Sequence, residues 1–144
     1  MENIIKRLKK KGVVLTPQRL AVANFLDGNF TYPSVEEIYT KLKKIYPTIS
    51  LATIYNSLEA LKTAGEIQEL TIRRDKVCFD PDPSPHHHFY CNKCKKVLDI
   101  KISCNTAANG YVFGNKIDEV QAYFYGTCKD CLEKAENRRK RGVR

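Results

Sequence analysis

Apolar positions along the first half of the chain recur at helical spacing, with start and stop signals between the stretches. Asn3 to Lys11 carries Ile4, Ile5 and Leu8 on one side and stops at Gly12. Thr16-Pro17-Gln18-Arg19 is a start signal, since Thr can cap and Pro is preset for the first helical position. Leu20, Val22, Ala23 and Phe25-Leu26 continue that helix to Asp27-Gly28-Asn29. Ser34 with Glu37 three residues on is a capping box, opening a helix with Val35, Ile38, Tyr39 and Leu42 that stops before Pro47. Ser50 opens a fourth helix that ends at Gly65.

The period then changes. Ile67–Ile72 and Val77–Phe79 read as short strands around Arg73-Arg74-Asp75-Lys76, a hairpin with basic residues at its tip. Helices, a helix-turn-helix pair and a basic hairpin describe a winged helix, whose second helix enters the major groove. Asp80-Pro81-Asp82-Pro83-Ser84-Pro85 continues neither helix nor strand. The expected organisation is therefore α+β: a winged-helix DNA-binding domain over 1–80, a proline-rich hinge over 81–85, and a smaller α/β domain over 86–144. In the latter, His86–Cys91, Val97–Ile102 and Ile117–Tyr125 read as strands and Cys128–Arg139 as a helix, while Ser103–Lys116, rich in Asn and Gly, is not expected to hold a long helix.

Composition narrows the class. The 144 residues are 42% hydrophobic, with no apolar run near the ~20 residues of a membrane span and no apolar segment after Met1-Glu2-Asn3-Ile4-Ile5-Lys6-Arg7 to act as a secretory signal. A cytoplasmic location is expected, with its six cysteines reduced. The formal charge of +9 is uneven: residues 1–80 and the last twelve each carry +4, and the stretch between is nearly neutral. A basic first half and tail suit a polyanion, though a solvated charged face gives the same count.

Two groups of residues carry metal-ligand chemistry. Cys91/Cys94 and Cys128/Cys131 are two C-x-x-C pairs, each giving two thiolates from one turn, and together a closed tetrahedral zinc site. A thioredoxin-like redox pair is the alternative, but it needs one such motif near a βαβ pattern. Asp80, His86, His88 and Asp99 form the second group; on a strand His86 and His88 share a face that His87 does not. Two imidazoles with two carboxylates suit Fe(II), Mn(II) or Zn(II), and the other reading is a polar strand with solvated histidines. Cys78 and Cys104 stand alone.

On the candidate recognition helix, Tyr55 and Asn56 with Thr53 face the possible DNA; Asn can bond adenine bidentately and an aromatic ring can meet a thymine methyl. Packing of Tyr55 into the core is the competing reading. Arg19, Lys62, Arg73 and Arg74 suit phosphate contacts. A metallohydrolase reading lacks a separate general base and a phosphate-cradling glycine loop, so no enzyme is expected. A purely structural zinc module for dimerisation is the remaining class.

Thr16-Pro17-Gln18-Arg19, Tyr32-Pro33-Ser34-Val35-Glu36-Glu37-Ile38-Tyr39, Ala52-Thr53-Ile54-Tyr55, His86-His87-His88-x-x-Cys91-x-x-Cys94 and Gly126-Thr127-Cys128-x-x-Cys131 occur in this order. In this the chain resembles the ferric uptake regulator (Fur) superfamily of dimeric, metal-dependent repressors, over nearly its whole length. Asp99 and Tyr55-Asn56 look like its peroxide-sensing (PerR-like) branch. The resemblance implies structural Zn2+ at Cys91, Cys94, Cys128 and Cys131. It implies regulatory Fe2+ or Mn2+ at Asp80, His86, His88 and Asp99, a homodimer, and double-stranded DNA with a palindromic operator as partner. The chain departs from the pattern at Tyr32, where the family has a fifth regulatory ligand, a His; the phenol can bind ferric iron, point away, or leave room for water. Pro85 likewise takes a position used by additional iron-sensor ligands. An iron- or manganese-level sensor without peroxide sensing is the alternative that Tyr32 favours.

Overall fold

The computed structural model describes residues 2–103 and 109–142. It divides into two compact units, Met1–Pro83 and Ser84–Arg144.

In the first unit, four helices each begin at a side chain that accepts an otherwise orphaned N–H. Asn3 caps α1 (Ile4–Lys10), and Thr16 caps α2 (Pro17–Leu26), with Pro17 in its first turn. Ser34 caps α3 (Val35–Lys43), where Glu37 bonds back to the Ser34 N–H at 2.9 Å and completes the capping box. Ser50 caps α4 (Leu51–Thr63). Gly65, at φ +72°, closes α4 by sending the Glu66 N–H back to the Leu61 carbonyl at 3.1 Å, a left-handed step that glycine takes without steric cost. Ile4, Leu8, Val22, Leu26, Ile38, Ile54, Leu58 and Leu61 are buried together between these helices. Each contributes about 1.5–3 kcal/mol by leaving water.

Strands β1 (Gln68–Leu70) and β2 (Cys78–Asp80) pair antiparallel and form the wing. They are shorter than the apolar runs predict: pairing stops at Leu70–Cys78, and Thr71, Ile72 and Val77 belong to the segment that turns between them. The Phe79 N–H bonds the Pro33 carbonyl at 3.0 Å and Ser34 bridges Cys78, so β2 is fastened to the segment that enters α3. Tyr32, at the start of that segment, is buried in the left-handed region at φ 53°.

In the second unit, β3 (His87–Cys91) pairs antiparallel with β4 (Val97–Ile100). A small hairpin of β5 (Tyr111–Val112) and β6 (Asn115–Lys116) follows; its turn is Phe113-Gly114, both at positive φ, the twist that two-residue hairpins prefer. Strand β7 (Tyr123–Gly126) then runs parallel to β3, giving the order β4-β3-β7, and α5 (Lys129–Gly142) closes the unit. The predicted strand over Ile117–Tyr125 is corrected: only its last third pairs. Asp118-Glu119 breaks the alternation, and the β3 partner accepts pairing from Tyr123 onward. The readings placed on Cys104 and on the rest of 104–108 lie outside the described residues.

Among the described residues, the buried apolar side chains of this unit are Cys91 and Cys128. A fold of this size with so little apolar interior needs another source of stability. Among the described residues no helix is long and apolar enough to cross a membrane.

Candidate metal centre and nucleic-acid interface

The parallel pairing of β3 and β7 places Cys91 opposite Gly126, and the Asn92 N–H bonds the Gly126 carbonyl at 2.8 Å. This brings the turn after β3, with Cys91 and Cys94, beside the turn into α5, with Cys128 and Cys131. Sulfur–sulfur separations are 3.9 Å for Cys91–Cys131 and 3.8 Å for Cys94–Cys128, and all four Sγ atoms lie within 4.8 Å of one another. Zn–S bonds of ~2.3 Å in a tetrahedron require edges of about 3.8 Å, whereas a disulfide requires ~2.05 Å. The thiols therefore fit a tetrahedral ion and form no disulfide among themselves. Burial disfavours the Cys91 thiolate, but the backbone N–H groups of Cys128, Cys94 and Lys93 outweigh it and bring the thiol down to about 6. Cys131 is pushed up to about 12, chiefly by its contact with Cys128.

The second group sits on the β3–β4 pair. His88 lies opposite Asp99 in the register, and His86 precedes the strand by one residue. The Asp99 Oδ1 is 3.3 Å from His86 Nε2 and 3.6 Å from His88 Nε2. Ligands bonded at ~2.0–2.2 Å to one transition-metal ion stand about 3.0–3.5 Å apart, so these three fit such an ion. His86 Nδ1 meets the Ser84 carbonyl at 2.7 Å, which fixes the proton on that nitrogen and leaves Nε2 as the ligand atom. His87 acts differently, because its Nδ1 accepts the Ala122 N–H at 3.1 Å and so fixes the chain entering β7. Asp80 is the buried last residue of β2, in the first unit.

On the first unit, Tyr55 and Asn56 are both exposed on α4, Tyr55 at 50%, so the tyrosine is not a core residue. Asn56 and Arg19 line one open groove of about 670 Å3 with Lys11, Val14, Ala60 and Thr63. Thr53 is drawn to the helix start, its Oγ1 2.8 Å from the Ser50 hydroxyl. Arg74 is exposed on the wing turn, whereas Arg73 is half-buried and donates to Glu37 at 3.2 Å, beside Lys76 at 3.0 Å. Lys62 pairs with Glu69 at 3.1 Å. Glu37 is thus an organiser of the wing that the sequence did not reveal beyond its capping role, its partners being 36 and 39 residues away.

A winged helix followed by a small sheet that carries two metal-ligand clusters defines a class of metal-responsive regulators. Residues 10–113 match the model of the Ferric uptake regulator family, and the chain belongs to that family. It is 35% identical over 136 residues to the Peroxide-responsive repressor PerR of Staphylococcus epidermidis, covering 92% of this chain and 91% of that one. Among solved structures, the Campylobacter jejuni peroxide stress regulator is 33% identical with a TM-score of 0.62, covering 91% of this chain and 100% of the other. The Francisella tularensis ferric uptake regulator, solved with iron, shares the fold at 24% identity and a TM-score of 0.69, over 84% and 96% of the two chains.

Proposed function

We propose that this protein is a metal-dependent, DNA-binding transcriptional repressor whose operator affinity is lost on exposure to peroxide. The observation that carries this is the His86–Asp99–His88 cluster at metal-ligand spacing, in a chain that aligns over nine-tenths of its length with a peroxide-responsive repressor. Cys91, Cys94, Cys128 and Cys131 hold structural Zn2+. His86, His88 and Asp99 hold Fe2+ or Mn2+, with Asp80 as a further ligand from the other side of the proline-rich hinge. Metal occupancy favours the DNA-binding arrangement of the dimer, with its recognition helices spaced for a palindromic duplex. Tyr55 and Asn56 read bases, with Thr53 beside them; Arg19, Arg73 and Arg74 address phosphates, Arg73 by way of its place in the wing. The exposed Leu98, Phe124, Tyr125 and Leu132 of the second unit suit a homodimer contact.

Fe2+ held there would activate peroxide and be regenerated, so that the two electrons that reduce peroxide come from the imidazole. The chain supplies the target: an imidazole ring of His86 or His88 gains one peroxide oxygen at a ring carbon, and the other oxygen leaves as water. The modified ring is a poorer ligand, the preference between arrangements weakens, and DNA is released. Peptide mass spectrometry of the Fe2+-loaded protein tests this. A +16 mass on the peptide holding His86–His88 is expected after peroxide, and none with Mn2+; an unchanged peptide overturns the mechanism. Tyr32 favours a second reading, a sensor of iron or manganese level without peroxide chemistry, because it stands where the family pattern has a histidine.

A further inference from the structure

Helix α5 buries none of its residues. Most of its basic residues nevertheless fall into two groups. At 100° per residue, Lys134, Arg138 and Arg141 fall within an arc of about 60°, with Asp130 at its edge, while Glu133 and Glu136 lie on another side of the helix with Lys129 and Lys140 between them. Lys93, from the first cysteine turn, joins this face: Lys93, Lys134 and Arg138 line a cavity of about 360 Å3 over Cys94 and Cys131. Lys134 and Arg138 also line the next cavity, of about 250 Å3, with Asn137 and Arg141. The two form one basic trough running along the helix.

Among the described residues, none of Lys93, Lys134, Arg138 and Arg141 forms an ion pair. Polar helices are ordinarily supported by i,i+4 pairs of opposite charge; Lys129/Glu133, Asp130/Lys134 and Glu136/Lys140 have that spacing in α5, but among the described residues none of them closes into an ion pair. Part of the trough offsets the negative charge of a thiolate-bound zinc. Zinc does not explain the far end, because Arg141 lines only the cavity away from the cysteines. From Lys134 to Arg141 the helix rises about 10.5 Å, the axial length of about three phosphates on one DNA strand.

We propose that this face of α5 is a second duplex-DNA contact, which grips the phosphate backbone without reading sequence and acts alongside the winged helix. This rests on the DNA-binding reading above. The test is the salt dependence of binding to a duplex that lacks the operator, for the full-length zinc-loaded protein. Neutralising three phosphate contacts, in Lys134→Gln/Arg138→Gln/Arg141→Gln, lowers the slope of log K against log salt by about 2.7. Arg141→Gln alone lowers it by about 0.9, with zinc still at one per chain. Lys129→Gln/Lys140→Gln, on the other side of the helix, leaves it close to wild type. Equal slopes for wild type and Arg141→Gln overturn the proposal, as does a loss confined to binding of phosphatidylserine vesicles. If the wild type binds no duplex at all, the DNA reading itself fails; if it binds and the slopes match, only this contact does.

Discussion

Glu66 places a carboxylate in the interior of the first unit, 2% exposed, between two cations of α1 and its end: Arg7 Nε at 2.8 Å and Lys11 Nζ at 2.6 Å. Burial raises its pKa, but the bonds from Lys11 and Arg7 outweigh that and hold it below the ordinary 4.5. A carboxylate with a depressed folded pKa contributes stability that is fully present above the unfolded value, and that contribution disappears as pH falls below about 4.5. Glu66→Gln is therefore expected to lower stability by about 1–3 kcal/mol at pH 7. The gap from wild type should shrink toward pH 3, as thermal unfolding of both proteins across that range would show; a gap that stays constant refutes the ionic account. At this scale the sequence is legible where interactions are local. Thr16, Ser34 and Ser50 are readable as helix starts because their partners lie three residues on, and His86 and His88 are readable as same-face neighbours on a strand. Glu66 and Glu37 are not, since their partners lie 55–59 and 36–39 residues away and only the folded chain brings them together.

At the scale of elements, the wing is the part whose position depends most on another element. Its strands are three residues each, too short to stand alone, and they are tied to the start of α3 by the Ser34–Cys78 bridge and by Glu37. One Glu37 oxygen completes the cap of α3 while the other receives Arg73 and Lys76. Glu37→Ala should therefore cost about 1 kcal/mol through the cap and, separately, loosen the turn between β1 and β2. Hydrogen exchange is expected to accelerate in residues 71–77 and in the first turn of α3, with operator binding weakened, whereas Ser34→Ala affects the helix start alone. If exchange in 71–77 is unchanged in Glu37→Ala, the wing does not depend on this residue. The helices were readable from period and caps; the strands of the second unit were less so. Ile117–Tyr125 has strand-like composition, but which of its residues pair is decided by the His87 ring and by the register with β3.

For the molecule as a whole, the two units differ in what holds them. The first has a packed set of aliphatic side chains from four helices; the second, among its described residues, buries two cysteines and two histidines and leaves Leu98, Tyr111, Phe113, Phe124 and Leu132 exposed. On the proposed reading, the free energy that orders the second unit comes from metal held by the four thiolates, together with whatever covers its apolar surface. Removing the metal should for that reason be unequal in effect. With a strong chelator, or in Cys91→Ser, residues 84–142 should lose protection from hydrogen exchange, while α1, α2 and α4 keep theirs, because none of their core contacts involves a thiolate. Circular dichroism should retain most of its helical signal under the same conditions, since the greater part of the helix lies in the first unit. Protection lost throughout the chain in a single transition would mean that the first unit draws its stability from the second. Protection unchanged everywhere would mean that the cysteine cluster is not what orders the sheet. If the proposed function holds, the asymmetry has a functional consequence: α4 stays folded when the second unit comes apart and keeps its local contacts to DNA, while the dimer that sets half-site spacing is lost, so metal removal should abolish operator selectivity before it abolishes non-specific binding.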